Sequence, residues 1–501
     1  MIFNSVTYLI FLSVATLLYW VLPNRARLYM LFIASITFYG FWRWDFVPVM
    51  LFSALVDYFV SLVMQKKQEH RKLLLSISLL TNLGLLFYFK YLMFFVENSW
   101  SVLTYFGFSQ SPPVLNIILP LGISFYTFQT ISYSIDVFRR QTQAISDFVL
   151  YGCYVMFFPQ LVAGPILRAG EVIPQLRERP HFRSEDIAVG MKRILVGLFL
   201  KVVLADNIAP LVDEGFATEA AQLSAIDVWT LAFLFGFQIY FDFSAYSHIA
   251  IGSARLMGII FPENFRFPYV ATSPKDFWSR WHISLSSWIR DYLYLPLMGA
   301  TVISSGTQGG LEKVVEGTAS MPSGKQTEDV NRFNPTNLQR TKALFLTWAI
   351  MGFWHGANWT FVLWGVYHAV CVFGYRCLRP LMKGQPSTSR QLLGWCITLP
   401  LMMLGWIPFR AIDLQQTFVM LGKLFLPLEY LSLGMRENTY LVALVLLIAV
   451  VGTAIIDRWI YQPLKKAPRL CLISETASLT VVTVSVFVFL RPITQFIYFQ
   501  F

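Results

Sequence analysis

The sequence of 501 residues has little charge. Asp, Glu, Lys and Arg make up 13% of it, whereas 56% is hydrophobic and 17% is aromatic. A soluble globular domain carries about 25% charged residues, so this composition excludes an ordinary soluble fold. The alternating segments that build outer-membrane barrels are also lacking. We therefore predict an all-α integral membrane protein.

Motifs that hold metals, nucleotides or nucleophiles are missing too. The five cysteines show no CxxC spacing, and no HxxxH pair or carboxylate cluster offers a ligand set. We therefore expect no disulfide framework and no metal site. There is no Gly-rich phosphate loop or GxSxG elbow. The net charge of +11 is spread over short connections between apolar runs, which excludes a nucleic-acid-binding module and fits the positive-inside rule.

Apolar runs of membrane-spanning length are abundant, for example 7–22, 47–64 and 441–456. No signal-peptide cleavage site follows the first run, so we expect it to stay in the chain as an anchor. When the basic loops are placed on the cytoplasmic side, the sequence predicts about twelve membrane crossings, with both termini on the opposite side. The N-terminal spans fill residues 1–140, and the C-terminal spans of 391–501 lie near 391–409, 438–457 and 477–497.

Two segments interrupt the regular alternation of loops between the two sides of the membrane. Basic residues stand at both ends of 147–166. In 281–299, Arg280 and Arg290 bracket an aromatic segment, and the long loop that follows is predicted to be internal, so both ends of each segment are predicted to be cytoplasmic. Pro159, Gly164 and Pro165 would break a helix in the first segment. We interpret both segments as re-entrant and shielded by surrounding helices. The polar stretch 301–341 is predicted to be a flexible cytoplasmic loop. Residues 343–375 are predicted to form a helical hairpin with His355 near its turn.

Polar residues inside apolar runs are the evidence for function, because an ionisable group at membrane depth costs ~2.5–3.5 kcal/mol. GFWHGANW (352–359) contains His355 and Asn358, which share one face if the segment is helical. In the same stretch, Gly352 and Gly356 leave room for a backbone or a ligand. FWSRWHISLSSWIRDYLYLPL (277–297) contains His282 among tryptophans.

Two further stretches are polar in the same way. YFDFSAYSHIAIG (240–252) places Asp242 and Tyr246 four residues apart, which we interpret as a structural hydrogen-bonded pair. FFPQLVAGPILR (157–168) is a proline-glycine break that ends in Arg168. Plain structural interpretations stay open: histidines that only pack, a tryptophan belt at the interface, and arginines that only anchor loops. The residues alone indicate a membrane enzyme or transporter whose interior histidines suit proton transfer.

The two histidine motifs together resemble the signature of the membrane-bound O-acyltransferase superfamily. LPLGISFYTFQTISYSIDVFR (119–139), KVVLADNIA (201–209), QIYFDFSAYS (238–247) and FPENFRFPY (261–269) are similar to its branch of alginate O-acetyltransferase membrane subunits. The resemblance runs from residue 1 to about 410. It implies a single domain over 1–501, with a ring of about 11–12 transmembrane helices enclosing re-entrant segments and a central channel.

The resemblance also implies a function. An acetyl group would pass from cytosolic acetyl-CoA, a substrate and not a bound cofactor, to hydroxyls of an exported polysaccharide such as alginate. Transfer would be direct or through a periplasmic SGNH-type partner at a bacterial inner membrane. His355 is implied as the catalytic base and His282 as a second functional position that orients the acceptor or stabilises the oxyanion. Asn358 would add a donor, and together with Asp242 and Tyr246 it would support the substrate or the oxyanion. Arg168, Arg280 and Arg290 would attract CoA phosphates.

The chain departs from the family pattern at two places. His248 stands where aspartate is usual after YFDFSxYS, and the 301–341 loop is longer than expected. Two related activities remain open: O-acetylation of peptidoglycan and D-alanyl transfer to teichoic acid. From another class, a transporter or scaffold would use its histidines only to relay protons or to pack.

Overall fold

The computed structural model describes residues 1–300 except 109, 114, 162, 163 and 179, and then 335–381, 387–456, 467–490 and 496. Within these ranges the chain is helical, with no strand. The first helices are α1 Val6–Val21, α2 Asn24–Gly40, α3 Val47–Lys66, α4 Arg71–Leu86, α5 Leu92–Tyr105, α6 Ile123–Phe138, α7 Phe148–Met156, α8 Ala169–Arg177, α9 Ser184–Leu198, α10 Asp206–Ala217 and α11 Ala225–Leu256. They are followed by α12 Pro274–Trp278, α13 Ile283–Ile289, α14 Leu295–Leu297, α15 Asn337–His355, α16 Trp359–Leu378, α17 Thr388–Leu404, α18 Trp406–Arg410, α19 Leu414–Lys423, α20 Glu437–Ile456 and α21 Pro468–Val488.

Among the described residues, six helical stretches are long and apolar enough to cross a membrane. They are Trp44–Lys66, Gln68–Tyr105, Ala225–Leu256, Trp359–Leu378, Thr388–Arg410 and Pro468–Val488. Val6–Val21 and Glu437–Gly452 are shorter apolar helices. The predicted all-α polytopic membrane protein is therefore confirmed, while the predicted total of about twelve crossings stays a prediction.

Helix α11 forms the centre of the fold and is buried along most of its length. It starts with a capping box, in which Ser224 Oγ accepts from the Asp227 N–H and an Asp227 carboxylate oxygen accepts from the Ser224 N–H. α9 and α10 pack on one part of it, and α17 to α20 on others. At the α9 contact a Cβ on Gly252 would lie 2.7 Å from the Gly190 carbonyl oxygen, so glycine allows the two backbones to approach closely.

The segments predicted to be re-entrant differ in structure. In 147–166, α7 ends at Met156, three residues before Pro159, and the described residues up to Leu167 are buried without a regular helix. In 281–299, the chain is helical from Ile283 through a π-helical turn to Leu297. The re-entrant path of both segments through the membrane stays a prediction.

The described part of the chain contains three π-helical turns, and each carries charge. They are Phe87–Tyr91 with Lys90, Phe199–Ala205 with Lys201, and Arg290–Tyr294 with Arg290 and Asp291. Such turns frequently occur at functional sites. Lys201 and Asp291 are 2% and 1% exposed, respectively, so these charges need partners inside the protein.

The later part of the chain corrects two predicted boundaries. Residues 301–334 of the predicted loop lie outside the described residues, and α15 begins at Asn337 after the N-cap Thr336. The last five residues of the predicted loop, 337–341, are therefore helical. The last predicted span, 477–497, overlaps α21, which begins at Pro468 and ends at Val488. Residues 491–495 and 497 of that span lie outside the described residues.

Candidate active site

His355 is the last residue of α15, and Asn358 is the N-cap of α16. The predicted shared helical face of these two residues is wrong, because the helix ends before Gly356. The close approach expected at Gly352 is present, and a backbone fills it: a Cβ there would lie 2.2 Å from the Phe361 carbonyl oxygen. The structure thus forms a tight helical hairpin over 337–378 with His355 at its turn.

The geometry of His355 determines which ring nitrogen is basic. Its Nδ1 lies 2.7 Å from the Met351 carbonyl oxygen, which only accepts hydrogen bonds, so Nδ1 carries the proton and donates. Nε2 of the neutral ring is then the unprotonated nitrogen. His355 is 5% exposed, and the rings of Trp364 and Phe409 lie 4.8 and 5.5 Å from its ring centre. The proton acceptor, His355 Nε2, is therefore held in place among aromatic side chains.

His282 is held in a similar way on another segment. It precedes α13 with φ 41°, in the left-handed region, and is 1% exposed. Its Nδ1 lies 3.1 Å from Asn264 Oδ1, and its Nε2 is buried with no hydrogen-bond partner among the described residues. This strained backbone at a buried histidine agrees with a functional position.

Asn264 sets the tautomer of His282. The backbone N–H of Ser284, which only donates, lies 3.2 Å from the same Asn264 oxygen, so that atom is the amide oxygen. Nδ2 of Asn264 donates to Ser247 at 3.1 Å. The His282 Nδ1–H therefore donates to Asn264, and Nε2 is the unprotonated acceptor. Sequence reasoning quoted Asn264 only as part of FPENFRFPY and missed this role.

His355 lies within electrostatic reach of His282. A third histidine, His368 in α16, also lies within electrostatic reach of His355. His368 is fully buried, and neither of its nitrogens has a hydrogen-bond partner among the described residues. Sequence reasoning missed His368, although its position in the apolar hairpin 343–375 was a sufficient signal.

Asn358 is held by two hydrogen bonds, and its predicted role as an oxyanion donor stays a prediction. Its Oδ1 accepts from the Thr360 N–H at 3.1 Å, and its Nδ2 donates to the Ile412 carbonyl at 3.0 Å. These bonds start α16 and attach it to the loop after α18, which is a structural role. The indole N–H of Trp364 is a different candidate donor beside His355, because it is buried with no hydrogen-bond partner among the described residues.

The predicted pair of Asp242 and Tyr246 is wrong. Asp242 forms an ion pair with Lys201 at 2.8 Å, and Lys201 also pairs with Asp206 at 2.9 Å. The Tyr246 hydroxyl is buried without a hydrogen-bond partner among the described residues. The KVVLADN and YFDFS motifs therefore contact each other through the buried Lys201, which lies between two carboxylates. This ion-pair network attaches the π-helical turn of Lys201 to α11.

The three arginines predicted to attract phosphates all have carboxylate partners. Arg168 and Arg290 share Asp291, at 2.5 and 2.7 Å, while Arg280 pairs with Asp276 at 2.8 Å. The carboxylates of Glu171 and Asp136 also lie near Arg168, so the attraction of CoA phosphates by Arg168 and Arg290 stays a prediction. Arg280 is neutralised within its own helical turn.

His248 contacts a second arginine network. Its Nδ1 accepts from the Arg193 guanidinium at 3.1 Å, and Arg193 also pairs with Glu263. An aspartate, the residue usual here in the resembling family, would also be a partner for Arg193. Across the described ranges, no group of three His, Cys, Asp or Glu residues has a metal-binding arrangement.

The segment FYFKY (87–91) contacts the end of α15. Lys90 Nζ donates to the carbonyl oxygens of Trp354 and His355, at 2.7 and 2.9 Å. Sequence reasoning missed Lys90 as well. The signal was available, because a lysine amid FYFKYLMFF is an ionisable group in an apolar run.

Comparison with known proteins agrees with the resemblance. The family model for the membrane-bound O-acyltransferase family matches residues 7–310, which include His282. The chain is 35% identical to the probable alginate O-acetylase of Azotobacter vinelandii, over 94% of this chain and 88% of that protein. It is 33% identical to the peptidoglycan O-acetyltransferase of Helicobacter pylori, over 84% of this chain and 79% of that protein.

A more distant similarity covers about half of the chain. The teichoic acid D-alanyltransferase of Bacillus subtilis is 28% identical over 52% of this chain and 60% of its own length. The three relatives carry acyl-transfer names with different acceptors.

Proposed function

Because the chain belongs to the membrane-bound O-acyltransferase family, and is therefore a multi-pass membrane acyltransferase, we propose that it transfers acetyl groups from acetyl-CoA to an exported polysaccharide. The long similarity to alginate O-acetylases supports an acetyl donor and a polysaccharide acceptor. The shorter similarity to D-alanyltransferases gives weaker support to a D-alanyl donor. Family membership also removes the grounds for the transporter and scaffold alternatives.

The observation that carries the mechanism is the tautomer of His355, which directs an unprotonated Nε2 away from the Met351 carbonyl. In the proposed step, Nε2 takes the proton of an acceptor hydroxyl as that oxygen bonds to the thioester carbonyl carbon. The carbon–sulfur bond then breaks, and the CoA thiolate takes the proton from His355. General-base catalysis of this kind contributes ~10²–10⁴ in rate.

The other residues have more specific roles in this proposal. Neutral His282 accepts at Nε2 and cannot donate there, so it orients the acceptor hydroxyl in preference to stabilising an oxyanion. The Trp364 indole N–H, buried beside His355, supplies the oxyanion donor. Arg168 and Arg290 attract the CoA phosphates. We place the site in a bacterial inner membrane, with a periplasmic SGNH-type partner completing the transfer.

A second acceptor, peptidoglycan, is favoured by one observation. The Helicobacter pylori relative is as similar in identity as several alginate O-acetylases. The same donor and base would serve both acceptors, so only the acceptor assay separates them.

The test measures CoA release by purified protein in nanodiscs, with acetyl-CoA or D-alanyl thioester as donor, alginate or peptidoglycan fragments as acceptor, and candidate periplasmic partners present. We expect acetyl-CoA turnover that falls at least ~10²-fold in His355→Ala. His70→Ala, which removes an exposed histidine in a basic loop, is the matched control. Normal turnover by folded His355→Ala would contradict the base. Turnover of D-alanyl thioester alone would contradict the acetyl donor.

A further inference from the structure

Lys90 occupies an unusual position for a lysine in an apolar helix. It lies in the π-helical turn Phe87–Tyr91, between α4 and α5, within the apolar stretch Gln68–Tyr105. A lysine in such a stretch ordinarily extends its ammonium toward the membrane surface. Here Nζ is directed inward and donates to the carbonyl oxygens of Trp354 and His355, at 2.7 and 2.9 Å.

Those two carbonyls belong to the last turn of α15. The last carbonyls of a helix have no intrahelical N–H partner, and inside an apolar bundle no bulk water replaces it. A cation is favoured at this end of the helix by the helix dipole. Lys90 therefore satisfies two backbone oxygens, one of which belongs to His355 itself.

Neighbouring contacts hold the lysine against this helix end. The Tyr91 hydroxyl donates to the Trp354 carbonyl at 3.3 Å, and the Tyr91 ring stacks on Phe353 with ring centres 4.6 Å apart. Lys90 Nζ lies 5.7 Å from the Trp354 ring centre. The widened turn allows consecutive residues, Lys90 and Tyr91, to reach the same carbonyl.

We propose that Lys90 is a positioning residue for acyl transfer: its ammonium fixes the end of α15 and thereby the place of His355 Nε2. This inference rests on the proposed role of His355 as the base. Lys90 contacts the backbone of the catalytic residue and not the reacting atoms. Its loss should therefore lower kcat, because a displacement of about 1 Å costs roughly 10²-fold in rate, while donor binding and KM stay nearly unchanged.

The first experiment compares Lys90→Met, which keeps the length of the side chain but removes the charge, with wild type. The acetyl-CoA assay gives kcat and KM for each, and size-exclusion chromatography and thermal melting report folding. We expect kcat to fall roughly 10- to 100-fold and KM to change less than twofold. The control is Lys192→Met, which removes a lysine paired with Glu475 at the surface and should keep wild-type kcat.

A chemical rescue separates positioning from simple loss of fold. Lys90→Cys is purified as a folded protein and alkylated with 2-bromoethylamine, which rebuilds an ammonium of nearly the same length. Wild type and Lys90→Met receive the same treatment, because the chain has five native cysteines. We expect kcat of Lys90→Cys to rise at least tenfold on alkylation, with no rise in the two controls.

Two results would overturn the proposal: wild-type kcat in folded Lys90→Met, or no recovery in fully alkylated, folded Lys90→Cys. His355→Ala is measured in the same series. If His355→Ala retains wild-type kcat, the base assignment itself fails. If His355→Ala is inactive while Lys90→Met is fully active, only the positioning role fails.

Discussion

Asp57 in α3 and His282 before α13 are both almost fully buried, but their polar atoms are bonded to different extents. One Asp57 carboxylate oxygen accepts from Ser78 and from Ser134, and the other accepts from Asn82 at 2.6 Å. Asn82 in turn accepts from Ser53 and Thr130, at 2.7 and 3.0 Å. His282 has one nitrogen bonded to Asn264 and the other with no hydrogen-bond partner among the described residues.

This difference indicates that the polar groups around Asp57 hold helices together, whereas His282 has a proposed chemical role. The Asp57 cluster, formed by Asp57, Ser78, Asn82 and Ser134, connects α3, α4 and α6 through bonds that are complete within the protein. A buried acceptor without a partner is costly, and under the proposed function a substrate hydroxyl would complete the hydrogen bonding of His282 Nε2. His355 shares with His282 a tautomer in which Nε2 is the unprotonated nitrogen.

Among the variants that test the contrast between Asp57 and His282, the largest loss of kcat is expected for a substitution of Asn264. Asn264→Ala removes the acceptor for the His282 Nδ1–H, so the ring loses its fixed tautomer and orientation. We expect kcat to fall roughly 10²-fold, the scale of a small misplacement in an active site. The measurement is CoA release per folded molecule. Asn264→Asp, which keeps an acceptor oxygen, should retain more activity than Asn264→Ala; equal activity of the two variants would argue against the tautomer role.

A smaller effect, on stability and not on chemistry, is expected at Asp57. Asp57→Ala removes three interhelical hydrogen bonds, which at ~0.6 kcal/mol each in membrane proteins amounts to about 2 kcal/mol. Thermal melting in detergent should show a lower Tm, while kcat per folded molecule stays within about threefold of wild type. A loss of kcat as large as that of Asn264→Ala, without a change in Tm, would remove the distinction between scaffold and site.

The smallest effects are expected at the partly exposed arginines. Arg290→Ala should raise KM for acetyl-CoA about twofold to fivefold, as expected for an exposed charge contact of ~0.2–1 kcal/mol, and leave kcat unchanged. Arg280→Ala should change neither constant, because its carboxylate partner Asp276 lies in the same turn. Equal changes in KM for both variants would contradict the different roles of the two arginines.

Much of the fold class and part of the site were predictable from the sequence. Low charge and long apolar runs predicted a polytopic helical protein, and the family resemblance pointed to His282 and His355. The break after His355 was predictable in principle, because Gly356 and Asn358 are typical end and start signals of helices. The hairpin prediction over 343–375 placed His355 near such a break, whereas the shared face of His355 and Asn358 held only if the segment were helical.

Partners across the chain were beyond sequence reasoning. Asp242 was paired with Tyr246 by helical spacing, whereas its ion-pair partner Lys201 lies on a different helical segment. The tautomers of His282 and His355 depend on Asn264 and on the Met351 carbonyl, and only the folded backbone supplies that geometry. Lys90 and His368 could have been identified as candidate functional residues from the sequence, since each is an ionisable residue within an apolar run.

The central claim is that His355 contributes a basic nitrogen, and His355→Asn tests it most directly. An asparagine side chain can still donate to the Met351 carbonyl but has no basic nitrogen. We predict that folded His355→Asn releases CoA from acetyl-CoA as slowly as His355→Ala, at least ~10²-fold below wild type. Activity of His355→Asn close to wild type would show that the hydrogen bond to Met351, and not proton transfer, is the contribution of His355.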